Sequence, residues 1–151
     1  MAHGKVSEAM PADCARVFAV LHDYPLRTTW DSLLSAAYLE GGATAAGKGV
    51  VSTCVGRKSL GGLALQTVYV SFDPGVVAAV KMINRPPFFA TWAASIRHVP
   101  GGGEGSTVAY TWTFTARPRW LAFLLEPVMG LVFRWETRKR LAALRRYLTV
   151  R

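Results

Sequence analysis

The chain has 151 residues, 51% of them hydrophobic, and carries 18 Lys and Arg against 9 Asp and Glu, a net charge of +9. A chain of this size fits one domain burying about 70% of its unfolded surface, so it needs neither a disulfide nor a metal to fold. Cys14 and Cys54 lie far apart with no C-x-x-C spacing, which excludes a zinc site, a redox motif and a disulfide framework and leaves them as small core hydrophobes.

The opening residues, MAHGKVSEAMPADCA, hold no apolar run behind a basic head. They do not form a secretory signal, and a cytoplasmic protein is expected. KVSEAM (5–10) alternates as a short strand. Pro11 suits the first position of the helix that follows, ADCARVFAVLHD, which carries Cys14, Val17, Phe18 and Leu21 on one face. YPLRTTWD reads as a helical turn. From Leu33 to Ala116 no helical period is present. Runs of β-type residues alternate there with turn chemistry: LLSAAYLE, GGATAAG, KGVVSTCV, GRKSLGG, LALQTVYVSF, the DPG turn (73–75), VVAAVKMI, NRPP, FFATWAASIRHV, PGGGEGS and TVAYTWTFTA. With KVSEAM these make seven strands, joined by short hairpins except after the first, and such connections build an antiparallel sheet.

From RPRWLAFLLEP the helical period returns and runs to Leu148, with Pro127 and Gly130 placed to bend it. The apolar stretch 120–133 is shorter than the ~18 residues of a membrane span and is interrupted by Glu126, Pro127 and Gly130. At about 100° per residue, Met129, Phe133, Thr137, Leu141, Leu144 and Leu148 share one arc, and Arg134, Arg138, Lys139, Arg145 and Arg146 another. The expected fold is therefore α+β. One curved seven-stranded antiparallel sheet wraps a long C-terminal helix, with two short helices between the first and second strands.

This order resembles the START-like superfamily, also called SRPBCC, whose architecture is the helix-grip fold. MPADCARVFAVLHDY followed by TTWD is similar to its opening, TVYVSFDPGVVAAVKM to its Asp-Pro corner, GGGEGSTVAYTWTF to its last hairpin and ETRKRLAALRRYL to its terminal helix. The resemblance spans nearly the whole chain and is closest to the polyketide cyclase/dehydrase and lipid-transport branch. It implies one domain over 1–151 with a cavity for a hydrophobic small molecule: a lipid, an isoprenoid or quinone, or a polyketide. These are signatures of a fold and not of a reaction.

Strand alternation puts Val108, Tyr110, Trp112 and Phe114 on one face, and Gln66, Val68, Val70 and Phe72 in a matching inward row, with Met82 and Trp92 on neighbouring strands. Met129, Phe133, Thr137 and Leu141 supply the helix side. Each of these is either cavity wall or plain core; Tyr110, Trp112 and Gln66 carry the polar atoms that would orient a ligand. The Thr137 hydroxyl either bonds its own backbone one turn back or reaches a ligand.

Cyclases of the branch are described as using Arg, Tyr or Trp groups, and the resemblance would give such roles to Arg57, Tyr69 and Arg97 by position, with the outside of the sheet as the alternative. No nucleophile motif is present, and His3, His22 and His98 lack ligand spacing, so no metal or cofactor is expected. EGGATAAGKG and PGGGEGS lack the spacing of a phosphate loop and read as turns.

From Arg117 onward nine Lys and Arg face only Glu126 and Glu136. Three readings of this basic segment stay open. Arg134, Trp135, Arg138, Lys139, Arg145 and Arg146 would meet an anionic membrane peripherally, with Trp120 and Leu131 beside them. They would otherwise be a solvated face. Nucleic acid is the weakest partner, since no recognised module is present, although the resemblance also reaches a ribosome-associated branch. Nothing in the sequence sets an oligomeric state.

Overall fold

The computed structural model describes residues 2–57 and 63–150; most of the predicted turn GRKSLGG lies outside them. The elements in chain order are β1 (Ala2–Met10), α1 (Cys14–Leu21), α2 (Tyr24–Trp30), β2 (Leu34–Leu39), β3 (Val51–Gly56), β4 (Ala64–Asp73), β5 (Val77–Met82), β6 (Phe89–Pro100) and β7 (Ser106–Ala116). A 3-10 turn (Arg119–Leu121) then leads into α3 (Ala122–Val150), which runs unbroken through Pro127 and Gly130.

Local chemistry sets the boundaries. β1 starts earlier than its alternation predicts because all of Ala2–Met10 pairs with β7, from Phe114 back to Ser106. α1 starts later than Pro11. Its cap is Asp13, whose carboxylate accepts the Arg16 N–H at 2.8 Å, and Asp23 caps α2 in the same way through Leu26. Each cap satisfies a backbone donor that the first helical turn leaves open.

The sheet order is β1-β7-β6-β5-β4-β3-β2, antiparallel throughout. Two strands consecutive in sequence, β1 and β2, therefore form opposite edges, and α1 with α2 bridges them. α3 lies across the concave face, burying Thr137, Leu141, Ala143, Leu144 and Leu148 in its C-terminal half. Its start is tied to the end of β7, where the Glu126 carboxylate accepts the Ala116 N–H at 3.0 Å. This is the helix-grip architecture expected from the sequence.

β7 alternates without a break: Ser106, Val108, Tyr110, Trp112, Phe114 and Ala116 are buried and the residues between them are half-buried. Gly4 lies opposite Trp112 on β1, and the indole occupies the space that a side chain there would need, since an added Cβ would sit 2.4 Å from a ring carbon. Gly4→Ala is expected to lower stability by about 1–3 kcal/mol, the usual penalty for overpacking a core. Chemical denaturation measures it, and an unchanged midpoint would show that the indole moves freely.

Under α1, His22 and His98 are buried around Phe18, with ring centroids 4.4 and 5.3 Å from it. Burial holds both imidazoles neutral, pulled down to about 3 for His22 and about 4 for His98, with Arg27 adding to the effect on His22. In the unfolded chain each would titrate near 6.5, so between about pH 6.5 and 4 the unfolded state binds more protons and stability falls as pH falls. The expected slope is up to about 1.4 kcal/mol per pH unit for each histidine. Denaturation at a series of pH values tests it, and a flat profile over that window would contradict neutral burial.

Candidate functional site

Between the concave face and the N-terminal half of α3 lies a cavity of ≈ 580 Å³. The sheet contributes Leu65, Thr67 and Tyr69 from β4, Val80 from β5, Phe89, Trp92 and Ile96 from β6, and Tyr110 and Trp112 from β7. The α3 wall is Met129, Phe133, Glu136, Thr137 and Arg140, a spacing of three and four residues that keeps one helical face toward the sheet. Phe133 is the central wedge, with its ring 5.3 Å from Phe114, 5.6 Å from Phe89 and 6.3 Å from Trp92.

The mouth is marked by lining residues that are also exposed: Pro87, Phe88, Val128 and Val132. Phe88 adopts φ 70, which strains a bulky residue, and its carbonyl accepts the Arg117 N–H. The Arg117 side chain also binds the carbonyls of Arg85, Pro86 and Phe89, so one arginine holds the sheet side of the mouth.

Of the sequence-predicted wall residues, Trp92, Tyr110, Trp112, Met129, Phe133 and Thr137 line this space. Among the described residues the Thr137 hydroxyl has no bond to the backbone one turn back, unlike Thr149, which bonds the Arg145 carbonyl. Phe114 and Leu141 are core, packed behind the wall, and Met82 is half-buried at the sheet's edge of that core. The predicted β4 row is wrong by one residue. Gln66 and Val68 sit on the other face, and Val70 is exposed. The run LALQTVYVSF has apolar residues at both parities, so alternation alone cannot choose; pairing does, with Thr67 opposite Ser52 and Tyr69 opposite Val80. A bulge between Tyr69 and Ser71 then reverses the alternation and returns Phe72 to the concave side, under Phe18 and away from the cavity.

The catalytic candidates separate in the same way. Arg97 is exposed on the outer face, and Arg57 is exposed with its guanidinium on the Ser32 carbonyl. Tyr69 is buried in the cavity wall, its hydroxyl 2.7 Å from His22 Nδ1 and 2.9 Å from the Tyr24 hydroxyl. Burial pushes the Tyr24, Tyr69 and Tyr110 phenols up, so all three are neutral near pH 7.

The inner end holds a group that the sequence reading missed. Asp31, 0% exposed, accepts from Arg27 Nε at 3.0 Å and from Arg140 Nε at 2.7 Å. Burial opposes its charge, but Arg140 and Arg27 outweigh burial and hold the carboxyl below the usual carboxylate range. Glu136, one turn before Arg140, makes no ion pair among the described residues; burial pushes its carboxyl up while Arg140 pulls it the other way. The signal was available: Arg27 and Asp31 stand at i, i+4, and Arg140 follows Phe133 by two helical turns. A charged residue on an otherwise apolar wall breaks the hydrophobic period, and so it was not seen.

The basic arc divides likewise. Arg134 and Arg145 turn back to β1, binding the Lys5 carbonyl and pairing with Glu8, whereas Arg138, Lys139 and Arg146 stay exposed. Lys139 lies 4.7 Å above the Trp135 ring. Cys14 and Cys54 are free and half-buried, and the Cys54 side of β3 also touches the cavity. Among the described residues no cluster of His, Cys, Asp and Glu has metal-holding geometry, and no helix is long and apolar enough to cross a membrane.

No curated protein matches the sequence. Solved structures do resemble the fold. The Zhui aromatase/cyclase from Streptomyces sp. R1128 superposes with a TM-score of 0.83 at 15% identity, covering 99% of this chain and 96% of that one. TTHA0849 from Thermus thermophilus gives 0.81 at 14% identity, covering 99% and 98%. A START superfamily protein from Mycobacterium smegmatis gives 0.76 at 8% identity, covering 97% and 98%. At such identities the likeness is one of fold. The sequence itself matches a family over residues 1–149, nearly its full length, and the chain belongs to that family, polyketide cyclase / dehydrase and lipid transport.

Proposed function

We propose that the protein binds a hydrophobic small molecule, a lipid, isoprenoid or polyketide, between sheet and α3, and collects or delivers it at an anionic membrane. The observation that carries this reading is the cavity itself. Its ≈ 580 Å³ falls in the range of small-molecule pockets, its walls are chiefly aromatic and aliphatic, and its mouth is apolar. The family and its aromatase/cyclase fold relatives are consistent with it.

A second reading, cyclisation or dehydration of such a molecule, draws on the Tyr24, Tyr69 and His22 chain. Effective acid–base groups titrate near the working pH. Here His22 is held down to about 3 and the phenols are pushed up, so these groups are suited to donating and accepting hydrogen bonds rather than exchanging protons. Carriage therefore takes precedence over catalysis. A neutral dye such as Nile red is expected to bind the folded protein and be displaced by a long-chain alcohol that is recovered chemically unchanged. Met129→Trp, which fills the wall near the mouth, is expected to weaken dye binding about tenfold or more with the fold intact. Unchanged dye binding in that variant would remove the cavity from the function.

The membrane part rests on the outer side of α3. Trp120 on the 3-10 turn, and Phe123, Leu124, Val128, Leu131, Val132 and Trp135 on the helix that forms one lip of the mouth, are exposed, Trp120 by 75% and Leu131 by 70%. Arg119, Arg138 and Lys139 are exposed on the same helical segment. An apolar face with basic neighbours suits an anionic headgroup layer, where each cation near the surface contributes about 1 kcal/mol. Binding to vesicles containing anionic lipid is expected at low salt and weak binding to neutral ones. Trp120→Ser with Leu131→Ser should abolish it, and Arg138→Gln with Lys139→Gln should remove the difference between the two vesicle types. Equal or absent binding to both would leave this face without a membrane role.

A further inference from the structure

The cavity's two ends differ in kind. Toward the mouth it is apolar; at the inner end Arg27 and Arg140 converge on Asp31, with Tyr110 beside them. At Asp31 the charges do not balance, and burial pushes the other nearby carboxyl, Glu136, toward its neutral form. Two guanidiniums, which remain protonated at any ordinary pH, share one carboxylate.

The hydrogen bonds are incomplete as well. Arg140 spends only Nε, on Asp31, and its terminal nitrogens bond no described residue. Arg27 spends Nε on Asp31 and reaches the Leu21 carbonyl at a long 3.5 Å. The Tyr110 hydroxyl has no partner among the described residues and is not sealed away from the cavity. By contrast, the Tyr69 hydroxyl is already engaged by His22 and Tyr24. The indole N–H groups of Trp92 and Trp112 in the cavity wall are also unbonded among the described residues, but at the inner end Arg140, Arg27 and Tyr110 set free donors beside positive charge.

We propose that this end is an anion site and that the ligand is an amphiphilic acid, whose carboxylate bonds the terminal nitrogens of Arg140 with Arg27 and the Tyr110 hydroxyl while its hydrocarbon part runs past Phe133 and Trp92 to the mouth. This deepens the carrier reading and depends on it. A carboxylate matches the planar fork of a guanidinium, and such charge-assisted bonds are roughly twice as strong as neutral ones, more so away from water. Buried positive charge in excess of its counter-charge is costly, so an arriving anion repairs a deficit already present in the empty site. Among the described residues Glu136 is the acidic group that lines the cavity; it makes no ion pair with either arginine, although Arg140 acts on it through space.

The test compares dodecanoate with 1-dodecanol as competitors of Nile red at about pH 8, where the acid is ionised. Dodecanoate is expected to bind at least about tenfold more tightly than the alcohol. The readout is the ratio of the two affinities: Arg140→Met, which removes one bond of the Asp31 tie and is first checked for folding by circular dichroism, is expected to bring the acid-to-alcohol ratio to about one whatever change it makes to both affinities alike. Arg140→Lys keeps the charge but loses the fork and should be intermediate. Equal affinities in the unaltered protein, or an acid preference that survives Arg140→Met, would overturn the anion site and leave hydrophobic carriage standing. Failure of both competitors to displace the dye would defeat carriage itself, and the anion site with it.

Discussion

Asp31 is where the two helical layers are joined. It lies at the end of α2, has no exposed surface, and is bonded by one arginine from its own helix and one from α3. A buried carboxylate without partners would cost several kcal/mol, and breaking such a cluster is far more costly than never building it. The tie fixes α3 against α2 at one level of the sheet. Below it, toward the C-terminus, Leu141, Leu144 and Leu148 close the core against β1 and α2, each worth about 1.5–3 kcal/mol of burial. Above it Thr137, Glu136, Phe133 and Met129 line the cavity, and the start of the helix is tied to the end of β7 by the bond between Glu126 and Ala116. The cavity is the space left between two fixed points of one continuous helix over a curved sheet.

That arrangement explains why the site is divided chemically. The inner end borrows its polarity from the structural cluster that positions the helix, so the charges that hold the fold are also those a ligand would meet. The middle is built from the alternating face of β7 and the ring of Phe133, which are indifferent to ligand identity beyond shape. The lip depends on Arg117 binding three carbonyls of the β5–β6 turn and on the strained backbone of Phe88. Strain of this kind persists only where surrounding bonds enforce it, and these bonds are all local to the mouth.

Legibility in the sequence followed the strength of the local signal. β7 was unambiguous because every second residue is bulky and the residues between are Thr or Ala. β4 was not, because Leu65, Tyr69, Val68 and Phe72 satisfy both parities, and a bulge that no local residue announces reverses the alternation midway. The helix's buried seam was correct from Met129 to Leu148, but Leu141 belongs to the solid half and not to the cavity. Arg27 and Asp31 form a local i, i+4 pair, but patterning assigns such charges to solvent, and their partner Arg140 lies 109 residues from Asp31, outside any local window.

The outer face of α3 departs from its sequence reading in an informative way. The sequence places an apolar arc from Met129 to Leu148 and a cationic one from Arg134 to Arg146, and assigns no outer face to the helix before Arg134. The C-terminal half obeys this, with Leu141, Leu144 and Leu148 inside and Arg145 and Arg146 outside. The N-terminal half is apolar on both sides: Met129 and Phe133 face the cavity while Trp120, Phe123 and Leu131 face outward. A helix apolar all round is ordinarily buried all round. Exposed large side chains in such number form a patch of the kind that marks an interaction surface. Because Val128 and Val132 are both exposed and part of the cavity lining, the two apolar faces meet at the mouth. A hydrocarbon leaving the cavity there would move from one apolar environment toward another along the same helix, and water would be a barrier only to the extent that the outer patch is left uncovered.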